Sequence, residues 1–486
     1  MCIPILGTGQ QRMTHSKTYL TIHIVKKKKH LGNFQLGSKG MNIWKYLLRK
    51  FSVKGPPSSE FHFRSMRRNL DEAFTLNPDA LADHFSHWNF KVRRQIRHAA
   101  DTGHYLLEDK GTTRKFINFD NLVFLPAMIA QFPLLEEEPV NTEVVIGPKA
   151  QKPMILKTPI MISGMSFGAL SKEAKIALAK ASKMAGTSTN SGEGGMLPEE
   201  WREAEKYVLQ YTQGRFGTFG DTLKRADMVE IKLSQGAKPG MGSHLPSNEV
   251  TIEIAMSRRI SPGEEAISPA RHTDINSPRE LSERIEALRE LTGGVPIALK
   301  MVGGNIEADL QAMLDNNVRP DVLVIDGAEG GIDVGPVFTK DHVGLPLVYS
   351  LPKMADFMET HGMKEDMTLI AAGGLRTGAD FAKALALGAE AVYIASAAKI
   401  AMGCTYNCPC HTGTCPQGIA THDPKLRKRL NPDKTAVKVA NFIKAATEEI
   451  ADIVRIVGKN DVRRLSKNDL RALDSEIARI TGVKLV

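Results

Sequence analysis

From Pro159 onward the chain repeats one pattern: a short β-prone run, a glycine-rich turn, then a helix-like stretch. Eight runs stand out: PIMIS (159–163), TSTN (187–190), MVEIKLS (228–234), EEAISP (264–269), PIALKMV (296–302), DVLVID (321–326), MTLIAAG (367–373) and AVYIAS (391–396). Strands that alternate with helices pair in parallel, because a parallel neighbour needs a long crossover. Eight of them within about 240 residues predict an α/β fold closed as a (β/α)8 TIM barrel. An open doubly wound sheet is the alternative. SKEAKIALAKASKMAG and SPRELSERIEALRELTG read as two of the intervening helices, and Ser277 with Glu280 forms a capping-box signal at the start of the second.

The flanks divide by composition. Residues 1–40 carry the Lys26–Lys29 run and no sustained periodicity, which predicts disorder. Met41 opens an amphipathic segment, MNIWKYLLRKF, and is the expected natural start. Gly55-Pro56-Pro57-Ser58-Ser59 is a linker by its turn chemistry. Residues 41–115 read as a mostly helical basic segment, 116–430 as the barrel, and 431–486 as C-terminal helices that pack outside the barrel or extend an interface.

Charge sorts the possible partners. The net charge is +10, but residues 1–115 hold 21 Lys and Arg against 8 Asp and Glu, while the remainder hold 43 against 46. A near-neutral body argues against nucleic acid. The basic N-terminal region is either a solvated surface or a contact for an acidic protein, a polyanion or anionic lipid. No apolar run is long enough to span a membrane, and the opening MCIPILGTGQQ, with no basic stretch followed by a long apolar one, predicts no secretory signal. Of five cysteines, Cys404, Cys408, Cys410 and Cys415 fall together. Disulfide frameworks spread their cysteines, so the cluster favours a metal site in a reducing compartment, the cytoplasm.

The active site of a barrel lies at the C-terminal ends of its strands. Here those ends carry Ser163-Gly164-Met165-Ser166, Asn190-Ser191-Gly192-Glu193, Ser234-Gln235-Gly236-Ala237-Lys238, Asp326-Gly327-Ala328-Glu329-Gly330-Gly331 and Gly373-Gly374-Leu375-Arg376. Glycine allows close backbone approach to a ligand, and phosphates are held after strands seven and eight in such barrels. Gly373, Gly374 and the Ser396-Ala397 turn fit that role; an ordinary strand–helix turn is the plain alternative. Lys300 interrupts an apolar strand, a costly position unless the ammonium meets an anionic or electron-rich partner. The alternative is a stem that snorkels to the surface. Cys404, Cys410 and Cys415 give C-x5-C-x4-C, a spacing able to wrap an iron–sulfur cluster. Cys408 or His411 would complete a zinc site instead, and a lone catalytic Cys404 is a third option.

SGMSFGALS, TSTNSGEGG, GRFG, IKLSQGAKPGMG, ISPARHTDI, GTCPQGIATHDP and the cysteine spacing resemble the FMN-binding synthase region of glutamate synthase, in order from about Pro159 to Arg427. The resemblance implies FMN, a [3Fe–4S] cluster on Cys404, Cys410 and Cys415, and oxidoreductase chemistry on CH–NH2 groups: reduction of the imine formed from 2-oxoglutarate and ammonia. Cys408 leaves a [4Fe–4S] cluster open. It places Lys300 against the flavin, Ser163, Gly164 and Met165 near the ring, Gly330 and Gly331 facing it, and Gly373, Gly374 and Ser396 near the phosphate. Glu193, Gln235, Lys238 and Arg258 lie in motifs surrounding 2-oxoglutarate. Lys238 and Arg258 suit its carboxylates, and Glu193 suits an amine, an imine or proton transfer.

Three features depart from the family, and the extra Cys408 is one of them. The loop usually reading Gly-Gly-Thr-Gly-Ala-Ser-Pro is here Gly330-Gly331-Ile332-Asp333-Val334-Gly335-Pro336. The resemblance is to the short stand-alone members of the family, which implies a chain without the glutaminase and C-terminal structural domains of full-length enzymes. The chain is therefore expected to take ammonia, free or from glutamine, through a separate glutaminase. Electrons are expected from an NAD(P)H-linked subunit or a ferredoxin. N-methylglutamate synthase-like chemistry, or a non-catalytic flavin electron-transfer subunit, are the competing expectations.

Overall fold

A computed structural model describes residues 87–406 and 410–486. The expectations for residues 1–40, for the Met41 start and for the 55–59 linker lie outside the described residues, as does Cys408. The compact unit Lys91–Val486 carries the barrel and the site described below.

Eight parallel strands form that unit's centre: β1 Ile160–Ile162, β2 Ser188–Asn190, β3 Lys206–Tyr211, β4 Met228–Lys232, β5 Ile297–Val302, β6 Val322–Asp326, β7 Thr368–Ala372 and β8 Ala391–Ile394. From β2 to β8 each strand is hydrogen-bonded to the next, and β8 returns to β1. Between β1 and β2 the ring is joined by the Thr187 hydroxyl, which donates to the Ile160 carbonyl at 2.5 Å. The result is a nearly closed (β/α)8 barrel.

Seven of the eight expected runs are barrel strands; EEAISP is not. Ala266–Ser268 instead pairs antiparallel with Ser243–Leu245, in a hairpin within the long connection from β4 to β5. The true third strand, KYVLQY, was hidden by its polar residues: Gln210 points into a barrel interior that is itself polar and bonds the buried Glu230 of β4 at 2.6 Å.

Helix α1 (Lys172–Ala185) runs from the Ser171 cap, which accepts from Ala174 N, to Gly186 in the left-handed region. Helix α2 (Ile252–Arg258) follows the first strand of the hairpin, and α3 (Pro278–Thr292) begins at Ser277. Ser277 accepts from Glu280 N at 3.2 Å, but Glu280 reaches back to Asn276 N rather than to the cap residue, so the expected capping box is half formed. Helices α4 (Leu347–Thr360), α5 (Gly378–Ala386) and α6 (Ser396–Ala401) follow β6, β7 and β8.

The amphipathic C-terminal run is helix α7 (Pro432–Ile456), which packs on α1, α5 and α6 outside the barrel. The rest of the C-terminal segment is not purely helical: Leu470–Ala472 pairs antiparallel with Leu122–Phe124. Nor is the described part of 41–115, where helix Phe90–Thr102 is followed by Leu107–Asp109, paired antiparallel with Val334–Pro336. A hairpin of Val144–Ile146 and Met154–Leu156 closes the N-terminal end of the barrel. Its Gly147 donates to the Thr368 hydroxyl at the foot of β7 and leaves no room for a Cβ beside Pro296. With that end plugged, the open mouth is at the C-terminal ends of the strands. Among the described residues, no helix is long and apolar enough to cross a membrane.

Candidate active site

One cavity of about 1540 Å3 occupies that mouth. Ser163, Gly164, Met165, Glu193, Gln235, Lys238, Arg258, Lys300, Gly330, Gly331, Gly373, Gly374, Ser396, Cys404, Cys410 and Cys415 all line it. It exceeds an ordinary small-ligand pocket of roughly 300–1000 Å3, so it can take a cofactor together with a substrate.

The floor is set by strand alternation. On β4, Glu230 and Lys232 are two residues apart and so share the interior face. Glu230 is fully buried and accepts from Asn190 Nδ2 at 3.1 Å and Gln210 Nε2 at 2.6 Å. Lys300 on β5 does not snorkel: its side chain is 6% exposed, its Nζ stands 3.5 Å from Asp326 Oδ2 and 5.8 Å from the Tyr393 ring centre. Burial works against the ammonium, but Asp326 and Glu230 outweigh it and raise the lysine above its ordinary value. Lys300 therefore presents a fixed positive charge at the base of the cavity.

A second charged group lies toward β2 and β4. Glu193 Oε1 is 3.1 Å from Lys232 Nζ, and Glu193 Oε2 accepts from the Ser243 hydroxyl at 2.9 Å. Lys232 also donates to Gln235 Oε1 at 2.6 Å. Burial alone would push the Glu193 carboxyl up; Lys232, Ser243 and Arg258 together hold it below its ordinary value. Lys238 is lowered by burial, which Glu193 opposes and Lys232 reinforces. Arg258, the last residue of α2, is buried over the Phe216 ring and donates to Phe167 O at 3.4 Å. Burial brings it down to about 10, so it stays charged at neutral pH, and its Nε has no hydrogen-bond partner among the described residues. Two cations, a carboxylate held ionised and an arginine N–H awaiting an acceptor suit a polar anionic ligand.

The glycine loops serve each other before any ligand. A Cβ on Gly236 would meet Gly327 O at 1.9 Å, and one on Gly373, which has φ +98°, would meet Gly327 N at 2.6 Å. The loops after β4, β6 and β7 therefore interlock through glycine. Gly331 faces the Ser396 hydroxyl, which a Cβ would approach to 2.7 Å, so the loops after β6 and β8 meet at the cavity wall. The altered segment Ile332–Gly335 lines the cavity too, and burial lifts the Asp333 carboxyl to about 6.

Cys404 follows α6, Cys410 opens the next described turn and Cys415 is buried; no disulfide joins them. Their donor chemistry fits iron, but among the described residues no three His, Cys, Asp or Glu side chains are gathered about one metal position. Cys410 N donates to Asp109 Oδ2 at 3.1 Å, which ties the cysteine loop to the strand Leu107–Asp109.

Lys232, Ser243, Asp326 and Glu230 were not among the expected site residues. Lys232 and Glu230 carried the same signal as Lys300, a charge inside a strand run. Ser243 carried none, because it arrives on the hairpin.

The family model for the conserved region in glutamate synthase matches residues 92–460. The glutamate synthase large subunit-like protein of Rhizobium meliloti is 39% identical over 412 residues, covering 80% of this chain and 92% of that protein. The archaeal-type glutamate synthase [NADPH] of Thermotoga neapolitana is 37% identical over 406 residues, 79% of this chain and 80% of that one. A solved structure of mandelate oxidase with an FMN adduct aligns with a TM-score of 0.46 at 17% identity, over 72% of this chain and 88% of that one. That likeness is too slight to add to the fold described above. The chain belongs to the glutamate synthase family and is an oxidoreductase.

Proposed function

We propose that this chain binds FMN in the barrel mouth and reduces the imine formed from 2-oxoglutarate and an amine, ammonia in the first instance. The observation that carries this is Glu193, held ionised, in one cavity with Lys238, Arg258 and the fixed charge of Lys300. Reduced FMN would supply the hydride. Ser163, Gly164, Met165, Gly330 and Gly331 would bound the ring, and Gly373, Gly374 and Ser396 the phosphate. Lys300 would stabilise negative charge on the reduced ring. Lys238 and Arg258 bind the two carboxylates of 2-oxoglutarate, Gln235 orients it, and Glu193 positions the amine and handles its proton.

A [3Fe–4S] cluster on Cys404, Cys410 and Cys415 is the finer assignment, supported by their spacing and by all three lining the cavity. A [4Fe–4S] form would add Cys408. No step of the chemistry above runs through it. A separate glutaminase and an NAD(P)H-linked or ferredoxin donor would supply ammonia and electrons, in the cytoplasm. A second amine, such as methylamine, is the alternative co-substrate, and the altered wall at Ile332–Gly335, which lines the cavity, is the feature that would separate the two.

The test is turnover of anaerobically reduced protein with 2-oxoglutarate and ammonia, methylamine or glutamine. Glutamate formed with ammonia supports the assignment, and N-methylglutamate would redirect it to the second amine. Reducible flavin without turnover on any pair would make the chain an electron-transfer subunit and reject the proposal.

A further inference from the structure

We infer that His272 is a positioning residue: it fixes the backbone of Lys232 and, through it, the Lys232–Glu193 pair. The inference rests on the functional assignment of Glu193 made above.

Lys232 is the last residue of β4, and its ammonium sets two side chains at once, Glu193 and Gln235. The β3 ladder ends at Tyr211, opposite Ile231, so β3 gives the Lys232 carbonyl no partner. Side chains take over from the ladder at this point. His272 Nε2 lies 2.9 Å from Lys232 O, and Gln213 Nε2 donates to Leu233 O at 2.9 Å. Two successive carbonyls at the strand's end are thus held from outside the sheet.

The histidine is itself fixed. It is 2% exposed and stacked on the Tyr211 ring, with centroids 5.9 Å apart and planes 15° apart. Its Nδ1 faces Arg215 Nη1 at 2.5 Å. A guanidinium can only donate, so Nδ1 accepts, and the single ring proton is on Nε2, aimed at Lys232 O. Burial and the neighbouring Arg215 lower its pKa to about 4, so this neutral tautomer persists across the physiological range.

Arg215 has φ +54° and lies over the Tyr211 ring at 4.0 Å. It pairs with Asp274, which Arg284 of α3 also contacts, at 3.0 Å, while donating to the Tyr211 hydroxyl at 2.8 Å. The GRFG and ISPARHTDI motifs, which no ligand role explained, therefore meet here. Arg215 from one and His272 and Asp274 from the other build a rigid support beneath Lys232.

The test compares two variants. His272→Phe keeps the stack and the volume but removes both hydrogen bonds. In His272→Gln the amide Nε2 can still donate to Lys232 O. In anaerobic turnover with 2-oxoglutarate and ammonia, His272→Phe should lose about 10- to 100-fold in kcat/KM, with its flavin content unchanged. His272→Gln should recover most of that loss. Equal loss in both variants, or wild-type rates in His272→Phe, would overturn the inference. Crystal structures of wild type and His272→Phe give a readout that does not depend on substrate. The Lys232 Nζ–Glu193 contact should open beyond hydrogen-bond distance in the variant, and an unchanged contact overturns the positioning role. Should the wild type fail to turn over, the functional assignment falls, while this distance still decides whether His272 positions the pair.

Discussion

The Glu193 carboxylate stands 3.1 Å from the Lys232 ammonium, and these two residues reach each other from the ends of β2 and β4, across β3. The contact settles a competition. A buried carboxyl is driven toward its neutral form, and here an adjacent cation reverses that drive.

Removing the cation should reveal the burial. In Lys232→Met the Glu193 carboxyl should titrate at higher pH than in the wild type, because desolvation then acts with less opposition. If ionised Glu193 is needed for turnover, the acid limb of the kcat–pH profile should move upward. The profile of Glu193→Gln should lack that limb and show a lower kcat with little change in KM. A Lys232→Met profile identical to wild type would detach Glu193 from proton handling.

Lys238→Ala should act on binding. It removes a cation whose charge-assisted bond is worth about 1.5–3 kcal/mol, so KM for 2-oxoglutarate should rise roughly 10- to 100-fold. FMN should remain at wild-type content, since the glycine turns assigned to its phosphate lie after β7 and β8. Loss of flavin from this variant would place Lys238 at the cofactor.

The thiols can be separated by substitution. Cys404→Ser, Cys410→Ser and Cys415→Ser should each abolish bound iron and the brown absorbance, whereas Cys408→Ser should keep most of both. Equal loss at all four positions would show a four-cysteine site. Metal analysis and electron paramagnetic resonance of the anaerobic protein decide between them.

A stability prediction concerns Glu390, at the foot of β8, whose carboxylate accepts from Leu369 N at 2.6 Å. Burial raises it from about 4.5 to about 7. The folded state then holds a proton that the unfolded chain releases above pH 4.5. Stability from this group is present below that pH and declines as pH rises through the interval to 7. Glu390→Gln keeps an acceptor for Leu369 N without the charge. Its Tm should exceed that of the wild type by a few degrees at pH 8 and match it near pH 4.5. A Tm difference independent of pH would contradict the cause.

The alternation from Pro159 determined the barrel, because hydrophobic periodicity and crossover length are local properties of a chain. Seven strands and helices α1 and α3 could be located from it. Lys300 could be singled out for the same reason: a charge inside an apolar strand marks itself. The cysteines could be singled out by spacing, though not their arrangement in space. KYVLQY could not be recognised as a strand, because its Gln210 is correct only for a barrel whose interior holds Glu230 and Asn190. EEAISP could not be excluded, since a short β-prone run does not say which partner it will find. Only the tertiary structure chose Ser243–Leu245 as that partner, and so brought Ser243 to Glu193. It alone joined Lys232 to Glu193, 39 positions apart in sequence, and His272 to the Lys232 carbonyl. Charges inside strand runs, such as Lys300, are legible in the sequence. Their partners, and hence their ionisation, depend on closure of the barrel, which brings the strand ends to a common mouth.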